Sequence, residues 1–244
     1  VADFSAIEAR VIAWLAGEQW VLELFKNGGD IYCETGSRMF GQEVKKHSPL
    51  RQRAKVAVLA CGYQGGVGAL KAMGGEKLGL GEDEMASIVD AWRKANPRIA
   101  QMWWDVNRAA LEAIKNGTSQ MVGRIKVYQK LGALVIALPS GRELIYPSPR
   151  VGENRFGGES ITFMGLGLNR KWGRIETYGG KLVENIVQAT ARDVLAHSMA
   201  TLEAAGYPTV MHVHDEVITE VPYGRGSVDE LCSLMSRGPK WWKG

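Results

Sequence analysis

The spacing of apolar residues along the chain changes character at Gly117. Before it, hydrophobic positions recur at three- and four-residue intervals, the period that gathers side chains on one face of an α-helix. Ile7, Val11, Ile12 and Leu15 make the first such stripe, which runs up to Gly17, a natural helix stop. Ser5 followed by Glu8 has the spacing of a capping box, so the helix is expected to start there with Asp3 just ahead of it. Similar patterns predict helices over 20–26, 31–40, 49 to about 61, 83–95 and 98–116. After Gly117 come short β-rich runs with turn residues between them: MVGRIKVY, ALVIALPSGRELIY and ESITFMG. A long helical pattern returns from about Lys181 to Ala205. PTVMHV and EVITEV then form two apolar strands separated by two residues, which makes a hairpin with His214 and Asp215 at its tip. No internal repeat or low-complexity tract interrupts this order, and the expected class is α+β.

Composition narrows the picture only a little. With 244 residues and 45% hydrophobic content the chain can build one domain or two interleaved subdomains. A net charge of +4 permits a polyanionic partner without requiring one. Cys33, Cys61 and Cys232 have no paired spacing, which argues against a disulfide framework or a zinc site and fits a reducing cytoplasm. No 18-residue apolar run and no charged leader is found, so neither a membrane span nor a secretion signal is expected. Asp3 has two residues ahead of it, so its supporting strand is expected to be cut, and GPKWWKG reads as the middle of a longer sequence. Both ends suggest a fragment, or one half of a split protein.

The chemistry lies in the order acid, base, acid. DFSAIEAR around Asp3 and HVHDEV around Asp215 flank a basic segment, RQRAKVAVLACGY. One carboxylate from each motif, brought together by the fold, can clamp divalent cations while the basic segment holds a polyphosphate. On a helix Arg51, Lys55 and Leu59 recur every four residues and form one stripe, continued by Tyr63 where Gly62, Gly65 and Gly66 loosen the chain. Cation, cation, apolar group and ring in that order suit a nucleoside triphosphate lying along the helix. Taken singly, Asp3 is an Asx turn before a helix, Asp215 a solvated hairpin tip, and the cations a solvated face. Their joint occurrence favours a phosphoryl-transfer site.

These residues resemble the family A DNA polymerases. DFSAIEAR resembles motif A, RQRAKVAVLACGYQGG motif B on the fingers helix, HVHDEV motif C, and VENIVQATARD the helix placed before motif C. LPSGRELIYP and TYGGKLVEN are similar to the phage-type subgroup, and the resemblance spans nearly the whole chain. It implies a palm, an antiparallel sheet with helices, formed by 1–16 and 176–244. A mainly helical fingers subdomain over 17–175 is inserted, carrying the motif B helix and a β-rich segment, while thumb and exonuclease domains are absent. It implies that Asp3, Asp215 and the backbone carbonyl of Phe4 ligate two Mg2+ ions, and that Lys55 is catalytic and binds triphosphate beside Arg51. Glu8 would exclude ribonucleotides, Leu59 would contact the incoming nucleotide, and Tyr63 would lie near the templating base. Gln188, His214 and Glu216 would flank the primer end. The implied function is template-directed DNA synthesis in replication, from dNTPs on a DNA primer-template, in the cytoplasm of a bacterium or phage-infected host. The alternative is a catalytically incomplete fragment, or half of a split polymerase, that binds nucleic acid and needs a missing N-terminal segment carrying the thumb and exonuclease. Leu59, Ala60, His212, Ala6 and Ala9 depart from the family pattern, and none of these removes a metal ligand. Lys45, Lys46, Arg124, Lys126, Arg170, Lys171 and Arg174 are either phosphate contacts or solvated surface.

Overall fold

In the computed structural model, residues 1–154, 157–167 and 170–243 are described. The first strand is short: β1 (Ala2–Asp3) pairs antiparallel with a strand from the far end of the chain, Ala2 opposite Val217 and Asp3 opposite Glu216. Asp3 thus sits on a strand of two residues. The chain must then turn into α1 (Ile7–Ala16) within three residues, and it does so with Ala6 in the left-handed conformation at φ 53°. That geometry displaces the expected capping box. Ser5 does not cap the helix, its carbonyl instead accepts from Arg10 Nε at 2.8 Å, and Glu8 turns outward to another partner. Gly17 ends α1 in the left-handed conformation as its position predicted.

The helices that follow are α2 (Gln19–Lys26), α3 (Ile31–Phe40), α4 (Pro49–Cys61), α5 (Val67–Ala72), α6 (Glu82–Ala95) and α7 (Pro97–Asn116). Their ends carry the expected chemistry. Asp30 caps α3, accepting from the N–H groups of Tyr32 and Cys33 at 2.9 and 3.1 Å, and Ser48 caps α4 ahead of Pro49. Glu82, Asp83 and Glu84 open α6 and Arg93 and Lys94 close it, each sign at the favourable end of the helix dipole. Helix α5 and a 3-10 turn at Glu76–Leu78 lie in a stretch whose glycines break up the helical period.

The β-rich middle forms two antiparallel meanders. One is β2 (Gln120–Val122), β3 (Ile125–Lys130), β4 (Ala133–Ala137) and β5 (Glu143–Pro147); the other is β6 (Arg150–Glu153), β7 (Glu159–Leu166) and β8 (Trp172–Thr177). Helix α8 (Gly179–Ala204) follows directly, then β9 (Thr209–Val213), β10 (Glu216–Thr219) and α9 (Val228–Met235). A third sheet has the order β1-β10-β9, so the class is α+β.

One large core joins α1, α4, α6, α7, β3 to β5 and the first half of α8, with Trp14, Trp103, Ile125, Leu134 and Ile186 fully buried. A smaller core, with Ala2, Leu195, Leu202, Val217 and Leu231, ties the two chain ends together. Trp241 and Trp242 pack against the first of these. Trp242 stacks on Trp14 with ring centroids 4.4 Å apart, and Trp14 Nε1 donates to the Lys243 carbonyl at 2.9 Å.

Candidate active site

The register of the small sheet decides what the site contains. Val213 pairs with Glu216, leaving His214 and Asp215 as the two-residue tip, with His214 in the left-handed conformation at φ 50°. Pairing of β1 with β10 sets Asp3 beside that tip, and the Phe4 N–H donates to the Asp215 carbonyl at 3.4 Å. The carboxyl pKa of Asp3 is raised, first by desolvation and then by the charges of Asp215 and Glu216, with the Phe4 N–H pulling the other way. Such a pair repels itself and is relieved by a cation. Among the described residues no three His, Cys, Asp or Glu side chains gather around one point. The carboxylates that do come together, Asp3 and Asp215, are oxygen ligands suited to a hard cation that takes its remaining ligands from water or phosphate.

A cavity of about 680 Å3 lies between this tip and the helices. Of the residues singled out in the sequence, Glu8, Leu59, Tyr63, Gln188, His214 and Asp215 are on its wall. Asp3, Arg51, Lys55 and Glu216 are not. Glu8 accepts a hydrogen bond from the Tyr63 hydroxyl at 2.6 Å, and burial together with the Glu8 carboxylate raises the phenol pKa. Tyr63 itself is held from behind. Trp103 Nε1 donates to the Gly62 carbonyl at 2.9 Å, and Gln64 Oε1 accepts from the Gly180 N–H at 2.9 Å. Gly179 and Gly180 are required there, because a Cβ on either would strike the backbone carbonyl of Trp103 or of Tyr63.

Helix α4 presents the expected stripe, but Arg51 is engaged. Its Nη2 and Nε reach one oxygen of Asp30 at 2.7 and 3.1 Å, and its guanidinium lies 5.2 Å from the Tyr32 ring centre. Burial works to raise the Asp30 carboxyl, yet the Arg51 hydrogen bond and the two capping N–H groups hold it below the ordinary value. The ammonium of Lys55 stands 5.8 Å from the same ring. Tyr32 is thus the wall residue through which both cations meet the cavity. Asp30 and Tyr32 were not foreseen. The cap signal of Asp30 was readable, but its partner twenty-one residues on was not.

Arg192, one turn beyond Gln188, also lines the cavity and was likewise missed. Its two Nη atoms lie 3.3 Å from His212 Nδ1 and 3.3 Å from Nε2. A neutral imidazole has one lone pair and one N–H, so its ring can accept from the guanidinium through only one of these two nitrogens. Asp193 is braced from the β4–β5 turn by Ser140 at 2.5 Å and Arg142 at 2.7 Å, which fixes the middle of α8. Arg124 serves the core, its guanidinium 4.3 Å from the Trp14 ring centre.

Comparison with known proteins accords with this geometry. The family model described as DNA polymerase family A matches residues 1–237. The chain is similar to a DNA polymerase of Bacillus phage SP02, 50% identical over 250 aligned positions that cover 100% of this chain and 38% of the relative. It is 26% identical to a DNA polymerase of Mycobacterium phage D29, covering 96% of this chain and 31% of that one. Among solved structures, the POL domain of Pol1 from M. smegmatis in complex with DNA primer-template and dNTP aligns with a TM-score of 0.63 at 20% identity. That alignment covers 96% of this chain and 35% of that chain, a likeness of fold. The chain therefore spans well under half the length of these relatives.

Proposed function

The chain belongs to DNA polymerase family A, and on that footing we propose that it carries the nucleotidyl-transfer centre of a template-directed DNA polymerase. One observation carries the reading: carboxylates from opposite ends of the sequence meet at one sheet, beside a cavity walled by Glu8 and Tyr63. Asp3, Asp215 and the Phe4 carbonyl would hold two Mg2+ ions, whose chemistry when bound is to acidify a primer 3′-hydroxyl and neutralise charge on the triphosphate.

The remaining roles fall to the chain's own groups. Residues 1–16 and 176–244 act as palm and 17–175 as fingers. The Glu8 carboxylate, fixed by Tyr63, bounds the space for the sugar and crowds a 2′-hydroxyl, and exposed Leu59 flanks the incoming nucleotide. Lys55 neutralises the triphosphate, with Arg51 available once its pair with Asp30 is exchanged for phosphate. The Tyr63 ring lies against the templating base, while Gln188, His214 and Glu216 border the primer end. Primer extension with Mg2+ is the test: Asp215→Ala should abolish incorporation while DNA binding persists, and retained extension refutes the two-metal assignment.

A second reading is supported by coverage, since the chain spans 38% of its phage SP02 relative. On that reading the centre works only together with a preceding segment. Extension by this chain alone, compared with extension when the relative's upstream part is supplied, separates the two.

A further inference from the structure

Strand β8 exposes an ordered row of side chains that the site above does not use. Along a strand alternate residues share a face, so Trp172, Arg174 and Glu176 point one way while Gly173, Ile175 and Thr177 point inward. Tyr178 keeps extended backbone, φ −151° and ψ 173°, and adds a fourth member. Trp172 is 65% exposed and Tyr178 51%, unusual for rings of that size. The cross-strand register adds Leu166 beside Trp172 and places Arg150 in the same row as Glu176 through Thr162. Arg174 is held in position by Thr162 Oγ1 at 3.0 Å and the Ser148 carbonyl at 3.2 Å. Arg170 and Lys171 immediately precede Trp172. Ring, cation, acid, ring, set in a surplus of Arg and Lys, is the alternation that stacks bases and holds phosphates of a flexible strand.

Position gives the row a direction. Tyr178 is two residues from Gly180, whose N–H is held by Gln64 and whose Cα abuts the Tyr63 carbonyl. From there to Trp172 the strand covers roughly 20 Å at about 3.3 Å per residue. We propose that the outer face of β8, from Tyr178 to Trp172, is a stacking track for single-stranded nucleic acid, and that its occupant during synthesis is the template ahead of the templating base. The second half of that statement rests on the function proposed above; the first does not.

The test is an anisotropy titration of the whole chain with 5′-fluorescein oligothymidine, paired with primer extension on templates overhanging by one or by about ten nucleotides. Trp172→Ala and Tyr178→Ala should each weaken oligothymidine binding about tenfold, the scale of one lost base–ring stack. Glu176→Gln should tighten it, most at low salt, where an acid beside the phosphates repels them hardest. The aromatic variants should slow extension on the long overhang alone. Oligothymidine binding that is absent, or that survives both aromatic substitutions at unchanged melting temperature, overturns the track, and equal slowing on both overhangs overturns the template as its occupant. If binding depends on the track but no extension occurs even with the upstream segment supplied, the track stands and the polymerase reading falls. If extension is normal and the aromatic variants bind like the parent, the reverse holds.

Discussion

Asp30 does two jobs that can be separated by choosing the replacement. It caps α3 through the N–H groups of Tyr32 and Cys33, and it pairs with Arg51 across to α4, both side chains about a quarter exposed. Asp30→Ala loses the cap, about 1 kcal/mol, and the ion pair, up to about 1 kcal/mol given its partial exposure to solvent. Asp30→Asn keeps a good cap and loses only the charge. For a chain of this size about 1 kcal/mol moves the melting temperature by ~2–4 °C, so Ala should lower it by ~4 °C and Asn by no more than about half as much. Since the folded carboxyl is held below its ordinary value, the charge adds stability above the unfolded pKa and loses it as pH falls through the folded one. The gap between parent and Asn should therefore close in acid. The same Asn variant releases Arg51, so in primer extension the apparent dNTP requirement should fall. Equal melting temperatures for Ala and Asn would refute the capping assignment, and an unchanged dNTP dependence would show that Arg51 has no part in triphosphate binding.

Asp3→Asn should stabilise the fold at neutral pH in the absence of divalent ions. A carboxyl whose pKa is raised in the fold holds protons that the unfolded chain has released, so its penalty is complete at neutral pH and vanishes below the ordinary 3.8. Melting curves at pH 7 and near pH 3.5 check it, and a parent as stable as the variant at pH 7 defeats the argument. Gly180→Ala forces a methyl against the Tyr63 carbonyl and should cost about 1–3 kcal/mol in urea denaturation; a cost near zero would mean that α8 and Tyr63 are not locked together.

What was readable in the sequence was what local rules govern. The period of Ile7 to Leu15, the glycine stop at 17 and the two-residue gap between PTVMHV and EVITEV each involve neighbours within a few positions. The failures were contests that longer-range contacts won. Ser5 lost the cap because the β1–β10 pairing forces the turn onto Ala6, and Glu8 found Tyr63 instead. Arg51 was legible as a cation on the right face of α4, but whether a cation is solvated or paired depends on α3, which no spacing within α4 reveals. His212 registered only as a departure in type, and its meaning came from Arg192 on another element.

The two ends of α4 are secured by different kinds of contact. At its C-terminal end Gly62, Tyr63 and Gln64 are bound to α7 and α8 by a part-buried indole hydrogen bond, a side-chain amide and two glycines that admit no Cβ. Helix α8 in turn packs on α1, whose first turn carries Glu8. The spacing between the Tyr63 ring and Glu8 is therefore set by packed helices, while the Asp3–Asp215 pair is placed by the β1–β10–β9 sheet. At its N-terminal end Arg51 and Lys55 are tied to α3 by one partly exposed ion pair and the Tyr32 ring, contacts worth about 1 kcal/mol each. Those two cations stand off the cavity wall, and the contacts restraining them are the ones that a polyphosphate can replace in kind. On the roles proposed above, the division gives rigidity to the templating and metal-binding groups and displacement to the phosphate-binding ones.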